Sequence, residues 1–150
     1  MNSYRKILDE FIKYEIEFLI TGTWALKLAY PETLKDYSVK DCDIIIKYDL
    51  VQIKSAIGLL LKNGWQTTIW EELIASNISI EKLEGKYYIR AKYKGLVLDL
   101  TYENDYYSWQ ELNKQRITFE QFKMVSVEQI LSLKKIKGRP QDFDVIRLLI

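Results

Sequence analysis

At 150 residues the chain has the size of one ordinary domain, and a hydrophobic content of 48% is ample for a single core. With 22 basic against 21 acidic residues, no global field favours nucleic acid, so any such site must be local. The lone cysteine, Cys42, forbids an intramolecular disulfide, and the absence of histidine removes His/Cys metal sites and every Ser-His or Cys-His mechanism.

Chemistry must therefore rest on carboxylates, lysines, hydroxyls or a bound hard cation. The opening stretch MNSYRKILDEFIKYEIEF mixes charged with apolar residues and does not read as a signal peptide, and no apolar run is long enough to span a bilayer. A cytoplasmic protein with no membrane association is the expectation.

Tyr4, Ile7, Leu8, Phe11 and Ile12 fall at helical spacing, so the chain opens with an amphipathic helix. Phe18 to Ile20 read as a short buried strand, broken by Gly22. Thr23 to Tyr30 read as a helix ended by Pro31. A polar loop runs through Lys40, and DIIIK is a strand. DLVQIKSAIGLLLKNG is a helix with Leu50, Ile53, Ile57, Leu60 and Leu61 on its apolar stripe, stopped by Asn63 and Gly64.

From Trp65 the period changes to two, and WQTTIW, ISIEKLE, KYYIRAKY and LVLDLTY read as strands. Glu84-Gly85 and Lys94-Gly95 suit hairpin turns. ENDYYSWQELNKQ reads as a loop with a helical turn, and RITFEQFKMV as a strand or strand pair. Ser126 with Gln129 fits a capping box at the start of a helix that Gly138 ends, and Pro140 opens a last helix. The expectation is one α/β (α+β) domain spanning 1–150, with a mixed sheet flanked by helices and two C-terminal helices.

Within a strand, residues two apart share a face, so Asp41 and Asp43 project together and Cys42 turns away. Carboxylates this close repel unless a cation sits between them; the alternative is a solvated strand start. A hard cation such as Mg²⁺ takes oxygen ligands from carboxylates and substrate phosphates. Asp99 lies between leucines, sharing a face with Val97 and Thr101, and needs a partner if buried. On a strand adjacent to Asp41 and Asp43 it completes three carboxylates around one or two metals; on an edge strand it faces water. Two metal ions about 3.5–4 Å apart suit an in-line phosphoryl displacement. In ITGTWAL a strand runs through Gly22 and Thr23 into a helix, offering backbone N–H groups and a hydroxyl to a phosphate.

A strand-Gly-Thr-helix unit, then Asp-x-Asp opening a strand, then a lone strand aspartate resembles the nucleotidyltransferase superfamily with a DNA polymerase β-like core. The resemblance covers about residues 16 to 149. It implies that Gly22 and Thr23 hold the nucleotide phosphates, and that Asp41, Asp43 and Asp99 are catalytic and bind two Mg²⁺, or Mn²⁺. It implies that Asp99 also helps activate the attacking hydroxyl. The C-terminal SVEQILSLKKIKGRPQDFDVIRLL is similar to the closing helices of lincosamide and aminoglycoside nucleotidyltransferases and of abortive-infection-type toxins. Lys134, Lys135 and Arg139 stand there as nucleotide-binding residues, with Asp142 and Asp144 beside them. Relatives often carry arginine two residues before the first acid; here Val39 stands there and Ser38 precedes it.

The implied activity is transfer of a nucleoside monophosphate from an NTP such as ATP to a hydroxyl acceptor, with release of pyrophosphate. The acceptor is a small molecule, a tRNA or a protein. A small-molecule cleft would be completed by a second copy of the chain in a homodimer, whereas RNA would use the basic cluster Lys134, Lys135, Lys137 and Arg139. The alternative is an inactive domain of the same fold that binds nucleotide or a partner protein. Several residues have a plainer reading beside the functional one. Lys134 and Lys135 suit a helix C-terminus, with one of the two facing the site. Arg139 and Asp142 suit a salt bridge between helices, and Asp144 is open between a surface and a site role. Lys27 is expected in solvent, and Trp24, Trp65, Trp70 and Cys42 in the core. Tyr102, Tyr106, Tyr107 and Trp109 either pack at the core and rim or stack a base or aromatic acceptor.

Overall fold

Three consecutive isoleucines cannot be left in water, and Ile44, Ile45 and Ile46 become the buried end of a central strand, β2, Asp41–Ile46. The structure is a computed structural model, and it describes residues 3–39, 41–69, 72–75, 78, 80–82, 88–102 and 107–150. Strand β2 pairs antiparallel with β1, Phe18–Thr21, and parallel with β6, Leu96–Thr101. Beyond β6 lie β5, Tyr88–Tyr93, then β3, Gln66–Ile69, then the short β4, Glu72–Leu73. Beyond β1 lie β8, Phe122–Met124, and β7, Ile117–Phe119. The order β4-β3-β5-β6-β2-β1-β8-β7 makes one eight-stranded mixed sheet, so the chain is a single α/β domain.

Helices flank the sheet, and two of them close the chain. In α1, Ser3–Lys13, the expected stripe of Tyr4, Ile7, Leu8 and Phe11 is buried. Ile12 is 39% exposed, because it lies about 100° around the helix from Phe11, past the stripe's edge. Helix α2, Gly22–Ala29, packs on β1 and β2. Helix α3, Leu50–Lys62, starts at Asp49, whose carboxylate accepts the N–H groups of Val51 at 3.0 Å and Gln52 at 3.3 Å. A helix α4, Trp109–Lys114, occupies the segment read as a loop with a helical turn. Helix α5, Val127–Lys137, begins where Ser126 Oγ accepts the Gln129 N–H at 3.3 Å and donates to Gln129 Oε1 at 2.9 Å. It ends at Gly138 with φ +61°, and Pro140 opens α6, Pro140–Leu149.

RITFEQFKMV folds as the hairpin β7–β8, and Lys94-Gly95 joins β5 to β6 with φ values of +48° and +83°, both in the left-handed region. ISIEKLE was expected as a strand; its described part holds a single 3₁₀ turn, Ile80–Lys82. The outer edge of β3 is already taken by β4, whose two residues are too few to leave a periodic signal. The Glu84-Gly85 turn, Trp70 and Tyr106 lie outside the described residues. Trp24, Trp65 and Cys42 are in the core as expected. Among the described residues no helix is long and apolar enough to cross a membrane.

Tyr4 ties α1 to the sheet. Its ring packs edge-on against Trp24 at 5.9 Å and tilted against Trp65 at 6.1 Å. Its hydroxyl donates to the Val97 carbonyl at 2.9 Å and accepts the Val97 N–H at 3.0 Å. Burial, opposed by the hydrogen bond to Val97, pushes the phenol up to about 12. Tyr4→Phe strips both Val97 groups of this partner and is expected to cost about 1–3 kcal/mol in denaturant unfolding. An unchanged midpoint would mean that the hydroxyl contributes nothing to docking α1.

Candidate functional site

Strands β2 and β6 run in parallel register, with Asp41 opposite Val97 and Asp43 opposite Asp99. Cross-strand partners share a face, so the Asp43 and Asp99 carboxylates stand side by side. Alternation puts Asp41 on that same face and sends the buried Cys42 to the other. The row extends both ways: Thr21 of β1 is opposite Asp43, Arg90 of β5 opposite Asp99, and Thr68 of β3 opposite Arg90.

The row's charges are unevenly balanced. Arg90 grips Asp99 as a fork, donating from Nε to Oδ1 at 2.8 Å and from Nη2 to Oδ2 at 3.1 Å. Asp99 is therefore neither bare nor on an edge; its side chain is 14% exposed. Asp43 is pushed up to about 6, chiefly by burial and then by Asp99, while Lys137 and Lys134 pull it down. Gly22 makes room for it. The glycine has φ +71°, and a Cβ there would stand 2.6 Å from Asp43 Oδ2, closer than such contacts allow. The close backbone approach expected of Gly22 is thus made toward the carboxylate itself.

Thr23, on the first turn of α2, accepts a hydrogen bond from Lys134 Nζ at 2.8 Å. The same ammonium reaches Asp142 Oδ1 at 3.3 Å, and Arg139 forks onto Asp142 from Nε at 2.8 Å and Nη2 at 3.1 Å. Asp142 is fully buried and Lys134 nearly so. Burial works to raise the Asp142 carboxyl, but the Arg139 hydrogen bonds and the Lys134 charge outweigh it and hold the group low. Burial holds the Lys134 ammonium below its ordinary value, against the pull of Asp142. The result is a chain of contacts from α2 through α5 to α6; the Arg139–Asp142 pair expected between helices forms within the start of α6, and Lys134 makes the bridge to Asp142 between helices.

These residues surround a cavity of about 660 Å³, whose walls include Thr23, Asp41, Asp43, Asp99, Lys134 and Arg139. Ser38 and Val39 line it too. Lys135 does not line this cavity: it is exposed, turned about 100° from Lys134 on the helix, and Lys137 lines the wall in its stead. Asp144 is 60% exposed and pairs with Arg147 at 3.7 Å, a surface role. Lys27 is not in open solvent; its ammonium donates to the Tyr37 carbonyl at 2.9 Å and pins the loop leading to β2. Tyr102 is buried in the core. The Tyr107 phenol is pushed up to about 12 by burial and then by Asp43. Tyr48, Tyr102, Tyr107 and Trp109 line a second cleft of about 270 Å³.

Arg90 is the site residue that sequence reasoning missed, though the signal was present. A two-residue turn at Lys94-Gly95 fixes the hairpin register, and that register alone sets Arg90 opposite Asp99.

A hard divalent cation fits this donor set in kind, since the acids offer oxygen only, and Asp41 and Asp43 share a face beside the Gly22 notch. Asp99 departs from the fit, because Arg90 holds both of its oxygens. Among the described residues, no group of three or more acidic or cysteine side chains is assembled to hold a metal ion. Compared with known proteins, the chain matches no protein-family model, and no curated protein is detectably similar to it.

Asp43→Asn is expected to stabilise the cation-free protein by about 1–2 kcal/mol above pH 6, less than the full shift because solvent reaches the site. Between pH about 4 and 6 the unfolded chain gives up this proton before the folded protein does, so wild type loses stability relative to the variant as pH rises. Below pH about 4 the gain vanishes. Denaturant unfolding at several pH values checks this, and a gain independent of pH would mean that Asp43 carries no buried charge.

Proposed function

We propose that the chain is a nucleotidyltransferase with a polymerase β-like core, moving a nucleoside monophosphate from an NTP to a hydroxyl acceptor. The observation that carries the reading is the in-register pair Asp43 and Asp99 on adjacent parallel strands, with Asp41 on the same face. A strand-to-helix turn and a buried lysine adjoin them.

Asp41, Asp43 and Asp99 would hold Mg²⁺ or Mn²⁺, which supplies neutralisation of the triphosphate and of the charge that develops in transfer. The first-turn N–H groups of α2 and the Thr23 hydroxyl bind the β- and γ-phosphates. Lys134, already bonded to Thr23, adds a point charge there, and Lys137 and Arg139 add charge from the cavity wall. The acceptor oxygen attacks the α-phosphorus, the bond to pyrophosphate breaks, and the hydroxyl proton passes to Asp99 or to solvent. Positioning and charge neutralisation account for most of the catalysis. A tRNA acceptor would lie along Lys134, Lys137 and Arg139, and its binding would weaken steeply with salt. A small molecule would use the aromatic cleft, and a cytoplasmic setting suits either.

A second reading has its own support. The fork on Asp99 and the missing arginine before Asp41 favour a domain of this fold that binds nucleotide without turning it over.

Calorimetric titration of each NTP, with and without Mg²⁺, separates these readings. The enzyme reading expects Mg²⁺-dependent binding of at least one NTP, lost in Asp41→Asn/Asp43→Asn. The nucleotide-binding reading expects binding that survives without Mg²⁺ and in that variant. Failure of folded wild type to bind any NTP would contradict both.

A further inference from the structure

We infer that Arg90 guards Asp99: its guanidinium stands in for the cation, and a divalent ion gathers all three acids only when Arg90 lets go. The inference rests on the cation-dependent reading of the site given above, and it concerns what this chain does before any cation arrives.

The geometry carries the argument. Arg90 comes from β5, on the far side of β6 from β2, and takes both oxygens of Asp99 at 2.8 Å and 3.1 Å. A bidentate fork fixes the plane of a carboxylate as well as its position, because both bonds must lie near that plane. Both Asp99 oxygens are thereby engaged from the β5 side before any ion could share them with Asp43 and Asp41. Arg90 lines the same cavity as the three acids, so its positive charge already occupies the wall of the site. The cation-free site is therefore one acid short, and Arg90 is the reason.

The guard is built to release. The Arg90 side chain is 44% exposed, so it can swing into water without opening a cavity, and the arriving ion takes over the Asp99 charge it leaves. A doubly charged ion shared among three carboxylates exceeds one guanidinium on a half-exposed pair, whose attraction solvent weakens. Arg90 thus sets how much cation the site needs before it assembles, and it is a positioning residue acting through Asp99.

Titration of Mn²⁺ alone, followed by calorimetry, tests this on wild type, Arg90→Lys and Arg90→Gln, each checked for wild-type unfolding cooperativity. Lysine keeps the charge but cannot hold both oxygens at once. Both variants are expected to bind Mn²⁺ roughly tenfold more tightly than wild type, the value of a charge-assisted fork at a half-exposed site. The gain should disappear when each is combined with Asp99→Asn. If Arg90→Lys binds like wild type and only Arg90→Gln gains, the effect is charge alone and the guard is wrong. Equal or weaker binding by both variants also overturns the guard while leaving the cation site standing. No Mn²⁺ binding by any of the proteins overturns the guard and the cation-dependent reading together.

Discussion

The site is organised by a repulsion. Parallel pairing of β2 with β6 sets Asp43 directly beside Asp99 on one face of the sheet, and the isoleucines following Asp43 fix the register that does so. A slip by one residue would turn Asp41 and Asp43 inward in place of the buried Cys42, so burial holds the two like charges together. Hydrophobic packing on one side of the sheet thereby sustains an electrostatic conflict on the other. Arg90 and Lys137 meet part of that conflict, and Asp43 stays raised by its burial first and by Asp99 second.

The surrounding structure is arranged around those acids. Gly22 has to be glycine twice over, for its left-handed φ and for the notch that admits the Asp43 carboxylate. Lys134 enters from α5 with its ammonium between Thr23 and the buried Asp142, and Asp142 is locked in turn by Arg139. A buried ion pair of this kind is weak as a source of stability and strong as a fixer of position. Its effect here is to hold the closing helices against the strand-to-helix turn, which keeps a positive charge beside the N-terminal end of α2.

Much of this was legible in the chain. The Asp-x-Asp spacing put Asp41 and Asp43 on one face, because alternation is a local rule, while Asp99 was left open between an adjacent strand and an edge until the pairing of β2 with β6 set it beside Asp43. Caps at Ser126, Gly138 and Pro140 marked α5 and α6 for the same reason. What escaped depended on neighbours. ISIEKLE has strand periodicity, but periodicity does not reveal whether a sheet edge is free to receive it. Lys134 and Lys135 are equivalent in sequence, and only the packing of α5 on α2 and α6 chose Lys134. Arg90 went unread although the Lys94-Gly95 turn fixes its partner, since KYYIRAKY by itself looks like an ordinary alternating strand. Lys27 looked like a solvent residue because nothing local announces that the loop at Tyr37 returns to it.

The central claim is that Asp41, Asp43 and Asp99 form one cation and triphosphate site. A crystal structure grown with Mn²⁺ and a non-hydrolysable NTP, with anomalous scattering used to locate the manganese, tests it most directly. The account predicts an anomalous peak shared by Asp41 and Asp43 and reached by a reoriented Asp99, with the triphosphate against Thr23 and Lys134. Manganese and nucleotide bound elsewhere, or an Asp43–Asp99 pair left bare beside a bound nucleotide, would contradict it.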